Sequence, residues 1–299
     1  MSVSVEFSTA AAATQVPAIY RVRVGEILVT ALSDGYVKGA ESVLRNVDPD
    51  TAKAILLRGG RPSPVVEINT FVIQQAGRTM LIDTGAGDYM GRNAGRLPSV
   101  LAAAGIDNLA VDTVLLTHIH PDHCGGLTNR VSGEARFPNA ELVVSAAEYA
   151  YWMDDAMMQR AAKDQLALFF DCPREQLAPY RNRLRLFHEG DVFPGVTALK
   201  APGHTPGHSM GLLSSGTDTL LIWGDIVHVP EVQMAIPQAG VVFDVDPQGA
   251  AETRRRVFDM VATDKMPVMG MHLGFPGLIG IERSGDGFRQ VPMPWRHTL

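Results

Sequence analysis

The stretch Thr117-His118-Ile119-His120-Pro121-Asp122-His123 sets three imidazoles and one carboxylate within six consecutive positions, directly after the apolar run Val114-Leu115-Leu116. An apolar core has no use for such a cluster, because burying that many polar groups without partners costs on the order of several kcal/mol. Neutral imidazole nitrogens and carboxylate oxygens are the donors that Zn²⁺ and similar divalent ions select. If the chain leaves its strand still extended, side chains two apart share a face, which puts His118, His120 and Asp122 on one side. His123 then follows as the backbone turns.

Three further donors each follow a predicted strand. They are His204 in Gly203-His204-Thr205-Pro206-Gly207-His208, Asp225 in Trp223-Gly224-Asp225, and His272 in Met271-His272-Leu273. With the cluster they suffice for two ions. Two divalent ions about 3.5–4 Å apart need a bridging group, and a shared carboxylate leaves room for a bridging water whose pKa falls toward ~7. His208 lies outside this donor pattern and reads as a residue that orients its loop. Asp83, in the glycine-rich exit Asp83-Thr84-Gly85-Ala86-Gly87, reads as a carboxylate taking an imidazole N–H, with a structural cap as the alternative. Cys124 should alternate away from the cluster as a small buried hydrophobe, and His188 and His297 read as surface residues.

The 299-residue chain has 46% apolar residues, enough to fill a substantial core. A net charge of −6 offers no basic field for a phosphate backbone, so no nucleic-acid partner is expected. The run Arg254-Arg255-Arg256 lies on a predicted helix, with Ala250, Val257 and Val261 at helical spacing, and reads as a solvated face. Two cysteines, Cys124 and Cys172, are too few for a disulfide framework. Residues 1–19, with Ala10 to Ala13 and no basic or apolar signal region, read as a flexible segment ahead of one domain over 20–299. The expected location is cytoplasmic, or exported with a signal peptide absent from this chain. No run of apolar residues is long enough to span a membrane.

Alternation predicts a strand over Tyr20 to Leu32 and a hairpin of Val65 to Gln74 with Thr79 to Ile82, turned at Ala76-Gly77-Arg78. A helix from about Leu97 to Ala104 precedes the strand Thr113 to Leu116 that delivers the cluster. Glu141 to Ser145 is a strand, and a helical insert rich in Ala, Met and aromatics then runs to Tyr180, well placed to cover a pocket. Further strands are expected at Val196 to Leu199, Met210 to Leu213, Leu220 to Trp223 and Val268 to Met271. A helix capped by Asp246, with Pro247 at its first position, runs to about Thr263. Two strand-rich halves, each with helices after its strands, predict two sheets face to face with helices outside.

The His-x-His-x-Asp-His motif and its three ordered followers resemble the metallo-β-lactamase superfamily across nearly the whole chain. The resemblance implies an α+β four-layer αββα sandwich of two mixed sheets. It also implies two divalent metal ions, with zinc expected and manganese, cobalt or iron acceptable to the same donors. By that resemblance His118, His120 and His204 hold one ion, Asp122, His123 and His272 the other, and Asp225 bridges. Asp225 and Asp122 would serve catalysis, the first by setting the metal spacing and the second by steering a proton.

Finer stretches resemble the methyl parathion hydrolase group of organophosphate-degrading enzymes, itself similar to the N-acyl homoserine lactonases. They are Gln15-Val16-Pro17 with Tyr20-Arg21, Thr30-Ala31-Leu32-Ser33-Asp34-Gly35, Leu81-Ile82-Asp83-Thr84-Gly85-Ala86, Phe137-Pro138-Asn139-Ala140 and His272-Leu273-Gly274-Phe275-Pro276-Gly277. The expected partner is a small-molecule ester, lactone or organophosphate, cleaved by a bridging hydroxide. Three residues after the bridging Asp, the lactonases carry Tyr and the parathion hydrolases an apolar residue; this chain has His228, a proton donor for a leaving alkoxide or a rim residue. The same resemblance places Met90, Trp152, Phe169 or Phe170, and Phe243 around the substrate, with Met90 where the parathion hydrolases have Phe. It also implies a homodimer. The alternatives are a dedicated organophosphate hydrolase, a glyoxalase II-like thioesterase, and an iron-dependent oxidoreductase on the same scaffold.

Overall fold

A computed structural model describes residues 15–299 apart from 40 and 62, so most of the predicted flexible segment, residues 1–14, lies outside the described residues. Two seven-stranded sheets dominate. The first runs, in spatial order, Ile19–Val24, Ile27–Lys38, Val65–Gln75, Arg78–Ile82, Thr113–Leu115, Glu141–Ser145 and Leu184–Phe187. The last four of these strands are parallel to one another, and the rest pair antiparallel. The second sheet runs Gly287–Pro292, Leu278–Ser284, Val268–Met269, Asp218–Ile222, Ser209–Ser215, Val196–Lys200 and Gly190–Phe193, with its one parallel pair between Asp218–Ile222 and Val268–Met269.

Side-chain alternation turns these sheets into layers. From the first sheet Phe71, Ile73, Met80, Ile82, Leu115 and Val143 point inward to meet Val196, Ala198, Leu213, Leu220 and Ile222 of the second. Their sequence neighbours Val72, Leu81, Val114, Leu142 and Val144 point outward, against Val100 and Leu101 of helix Leu97–Ala103 and Leu177 of helix Cys172–Leu177. On the far side Leu221 and Trp223 pack on Val257, Phe258 and Val261 of helix Pro247–Asp264. The result is the αββα sandwich.

Four expectations need correction. Tyr20 to Leu32 is not one strand but two, reversed at Gly25, whose φ of 52° lies in the left-handed region. Helix Pro49–Arg58, started by Asp48 accepting from the Thr51 N–H, interrupts a first third of the chain in which alternation points mainly to strands. The second sheet continues past Met271 through the hairpin Leu278–Ser284 with Gly287–Pro292. Arg254 is no solvated residue: it is 1% exposed, and its guanidinium donates to the carbonyls of Ile226, Pro237 and Ala239. Cys124 is buried as expected, and among the described residues no helix is long and apolar enough to cross a membrane.

Candidate metal centre

All seven predicted donors sit on segments that leave strands at the same end of the sandwich, following Leu115, Lys200, Ile222 and Met269. The chain is extended only as far as His120, which caps a one-turn helix, Pro121–Cys124; Asp122 therefore reaches the site from the helix, not from a continuing strand. His118, His123, His204, Asp225 and His272 are buried, while the Asp122 carboxylate is 16% exposed and is the donor nearest solvent.

The donor atoms converge. Those of His118, His120 and His204 lie within 4.8 Å of one another, as do those of Asp122, His123 and His272. Asp225 joins the two sets: Oδ2 stands 3.6 Å from His118 Nε2, 3.3 Å from His204 Nε2 and 3.1 Å from His272 Nε2, and Oδ1 stands 3.2 Å from His123 Nε2. Burial alone would raise the Asp225 carboxyl, yet the surrounding imidazoles, His123 foremost, bring it well below its ordinary range. Burial and neighbouring imidazoles hold His118 and His120 well below 6.5, which keeps both rings neutral.

Do these residues fit divalent cations? His118 Nε2, His123 Nε2 and Asp225 Oδ1, which face one another across the centre, are buried without a hydrogen-bond partner. Each such orphan costs about 1–3 kcal/mol, and several pointing into one space make that space a cation site. The remaining ring nitrogens are held from behind. His123 Nδ1 lies 2.7 Å from Asp83 Oδ2, His204 Nδ1 is 2.9 Å from Asp244 Oδ1, and His272 Nδ1 is 2.6 Å from the Glu67 carbonyl. Such bonds fix the ring that faces an ion. Asp83 also accepts from the N–H and hydroxyl of Thr117, at the entrance of the cluster.

His208 orients its loop as expected. Its Nδ1 donates to the Ala201 carbonyl and its Nε2 accepts the Asp225 N–H, both at 2.8 Å. The imidazole lies so close to Gly224 that a Cβ there would collide with Nε2, and Gly224 itself has a φ of 61°. His228 belongs to the centre more intimately than a rim residue: Nε2 is 3.0 Å from Asp225 Oδ2, its ring stacks on His272, and burial pushes its pKa down to about 4 against the pull of Asp225.

A cavity of about 310 Å³ opens beside His120, walled by Tyr151, Trp152, Phe169, Phe170 and Phe243 among others. The helical insert thus supplies most of the wall. Met90 does not line this cavity; it is half-buried in the turn after Gly87. Sequence reading missed Asp244, Gln233 and Glu148. Gln233 Oε1 accepts the N–H of both His228 and Val229, and the buried Glu148 bonds to both donor loops. One signal for Glu148 was available, since it lies four residues before Trp152 on one helical face.

Fold and donors together define a metal-binding αββα protein. A family model described as the metallo-beta-lactamase superfamily matches residues 63–272. The chain belongs to the metallo-β-lactamase superfamily. The N-acyl homoserine lactonase AiiA of Bacillus thuringiensis subsp. kurstaki is 25% identical over 172 residues, covering 57% of this chain and 59% of that protein. Among solved structures, the hydrolase AbOPH of the β-lactamase superfamily superposes with a TM-score of 0.89 at 30% identity, over 95% of this chain and all of that one. AidC, a dizinc quorum-quenching lactonase bound to its N-hexanoyl-L-homoserine product, shares the fold at a TM-score of 0.87 and 24% identity, over 94% and 99% of the two chains.

Proposed function

We propose that the protein is a binuclear metal-dependent hydrolase that cleaves lactones and esters, with organophosphate triesters as secondary substrates. The observation that carries the reading is the pair of donor sets sharing Asp225 beside an aromatic cavity. His118, His120 and His204 would hold one divalent ion, Asp122, His123 and His272 the other, with Asp225 between them. Zinc is the expected metal, supported by the dizinc lactonase of the same fold, and manganese, cobalt or iron would satisfy the same donors. When bound, such a pair supplies a water deprotonated near neutral pH and Lewis-acid polarisation of a carbonyl or phosphoryl oxygen.

The chain's own residues do the rest. Asp83, Asp244 and the Glu67 carbonyl keep three imidazoles aimed inward, so little reorganisation is needed. Trp152, Phe169 and Phe243 receive the acyl or aryl part of the substrate and exclude water from it. Asp122, the most exposed donor, stands where it can take a proton as the substrate is attacked. His228 presents Nε2 beside Asp225 Oδ2, where its N–H can turn to a leaving oxygen in the same centre. Lactones are favoured over phosphotriesters because a leaving alkoxide needs that donor far more than a nitrophenolate does. The resemblance to lactonases and parathion hydrolases supports a homodimer, which sedimentation would check.

The test is a panel. Purified zinc-loaded protein is assayed on acyl homoserine lactones, simple lactones, aryl esters and dimethyl nitrophenyl phosphorothioate. We expect kcat/KM to be highest on a lactone or ester and measurable on the phosphorothioate; a preference for the phosphorothioate would move the assignment to a dedicated organophosphate hydrolase.

A further inference from the structure

We propose that Glu148 is a positioning residue that couples the donor set His118, His120 and His204 to the aromatic wall of the cavity, so that one carboxylate governs both metal and ligand affinity. The proposal rests on the metallohydrolase reading above for what the two affinities serve.

Glu148 lies in helix Ala146–Trp152 and is 0% exposed. A carboxylate in that position normally requires a cation. Glu148 instead receives four hydrogen bonds. One oxygen, Oε1, accepts the Ile119 N–H at 3.0 Å and the Trp152 indole N–H at 2.7 Å; Oε2 accepts the Thr205 hydroxyl at 2.6 Å and the Gly207 N–H at 2.9 Å. Burial pushes its pKa up, while these four bonds favour the ionised form.

Each partner adjoins a functional element. Ile119 separates His118 from His120, so holding its N–H holds the peptide between two donors. Thr205 follows His204 directly. Gly207 packs on the backbone of Glu148 so closely that a Cβ there would strike the Glu148 nitrogen, which fixes loop against helix. Trp152 lines the cavity and meets the His120 ring edge-on at 5.2 Å. Three segments distant in sequence therefore meet at one side chain, two of them carrying donors and the third carrying the wall.

Glutamine is nearly isosteric but keeps only one acceptor oxygen, so its amide N–H₂ confronts two donors. The Thr205 hydroxyl can turn to accept; a backbone or indole N–H cannot. The experiment measures stepwise Zn²⁺ affinity by chelator competition, the absorption spectrum of the Co²⁺-loaded protein, and the affinity for a non-hydrolysable N-acyl homoserine lactam. It compares the full wild-type chain with Glu148→Gln, Thr205→Val and Trp152→Phe.

Expected for Glu148→Gln is a loss of about 10- to 100-fold in the affinity of one of the two ions, the other unchanged, with an altered Co²⁺ spectrum. The lactam should weaken by about 2- to 10-fold, as for the loss of one ordinary hydrogen bond. Thr205→Val should reproduce the metal effect alone and Trp152→Phe the lactam effect alone, and these two variants decide the matter if Glu148→Gln does not fold. A purely structural staple would lower thermal stability and leave both affinities at wild-type values, and that result overturns the proposal. Wild-type protein that binds metal yet hydrolyses nothing in the panel counts against the hydrolase reading only, because none of these readouts depends on turnover.

Discussion

His123, His204 and His272 are each pinned through a second ring nitrogen by a fixed acceptor, whereas of the cavity walls only Trp152 has such an anchor, its indole N–H on Glu148, and Phe169 and Phe243 are set by aromatic packing. The donor loops are buried and nearly every polar contact in them is specified. By contrast Phe243 is 41% exposed, and its neighbours Val242 and Val245 are similarly open. The difference separates two kinds of precision. Chemistry that depends on tenths of an ångström is built at strand ends with hydrogen bonds, and recognition that depends on area is built on an insert and a loop with aromatic surface.

Removing metal should break that contrast most completely. Chelation is expected to abolish hydrolysis and to lower thermal stability, since a site exposed to free zinc at about 1,000 times its Kd gains about 4 kcal/mol; calorimetry with and without chelator checks this. Asp225→Ala should reduce kcat/KM on the order of 10³-fold or more and drop the metal content below two per chain, as measured by elemental analysis. Retention of two ions and full activity would remove Asp225 from its bridging place. His228→Leu should cost lactones about 10- to 100-fold and nitrophenyl phosphates much less; equal losses on both would reject its donor role. The smallest effects belong to the walls. Phe243→Ala should raise KM about three- to tenfold with kcat nearly kept, and Met90→Ala should leave both unchanged, because Met90 stands off the cavity.

The centre was readable in the sequence where chemistry is contiguous or tied to strand ends. His118 to His123 declare themselves by density, and His204, Asp225 and His272 by following apolar strand runs. Glu148 and Asp244 could not be read the same way, because Gly207 and His204, the groups they hold, lie far off in sequence, and Gln233 could not because its partners are the backbone N–H groups of His228 and Val229, which no side chain marks. Met90 was assigned to the pocket by resemblance, and no local pattern could place it outside. Arg254 was legible and misread. It sits four residues after Ala250 and three before Val257, squarely on the apolar stripe of its helix, which its charge concealed. The C-terminal hairpin likewise had its turn in Ser284-Gly285-Asp286-Gly287, with Ile279 and Ile281 alternating before it.

Buried Arg254 has a consequence for anyone transplanting parts between relatives. Its guanidinium, rooted in helix Pro247–Asp264, holds the carbonyl next to Asp225 with one nitrogen and the turn at Pro237 and Ala239 with another. Residues 226–245 and that helix are therefore one exchangeable cassette. A grafted rim loop brought in without a matching arginine beneath it would carry its aromatic residues but lose its anchorage beside Asp225.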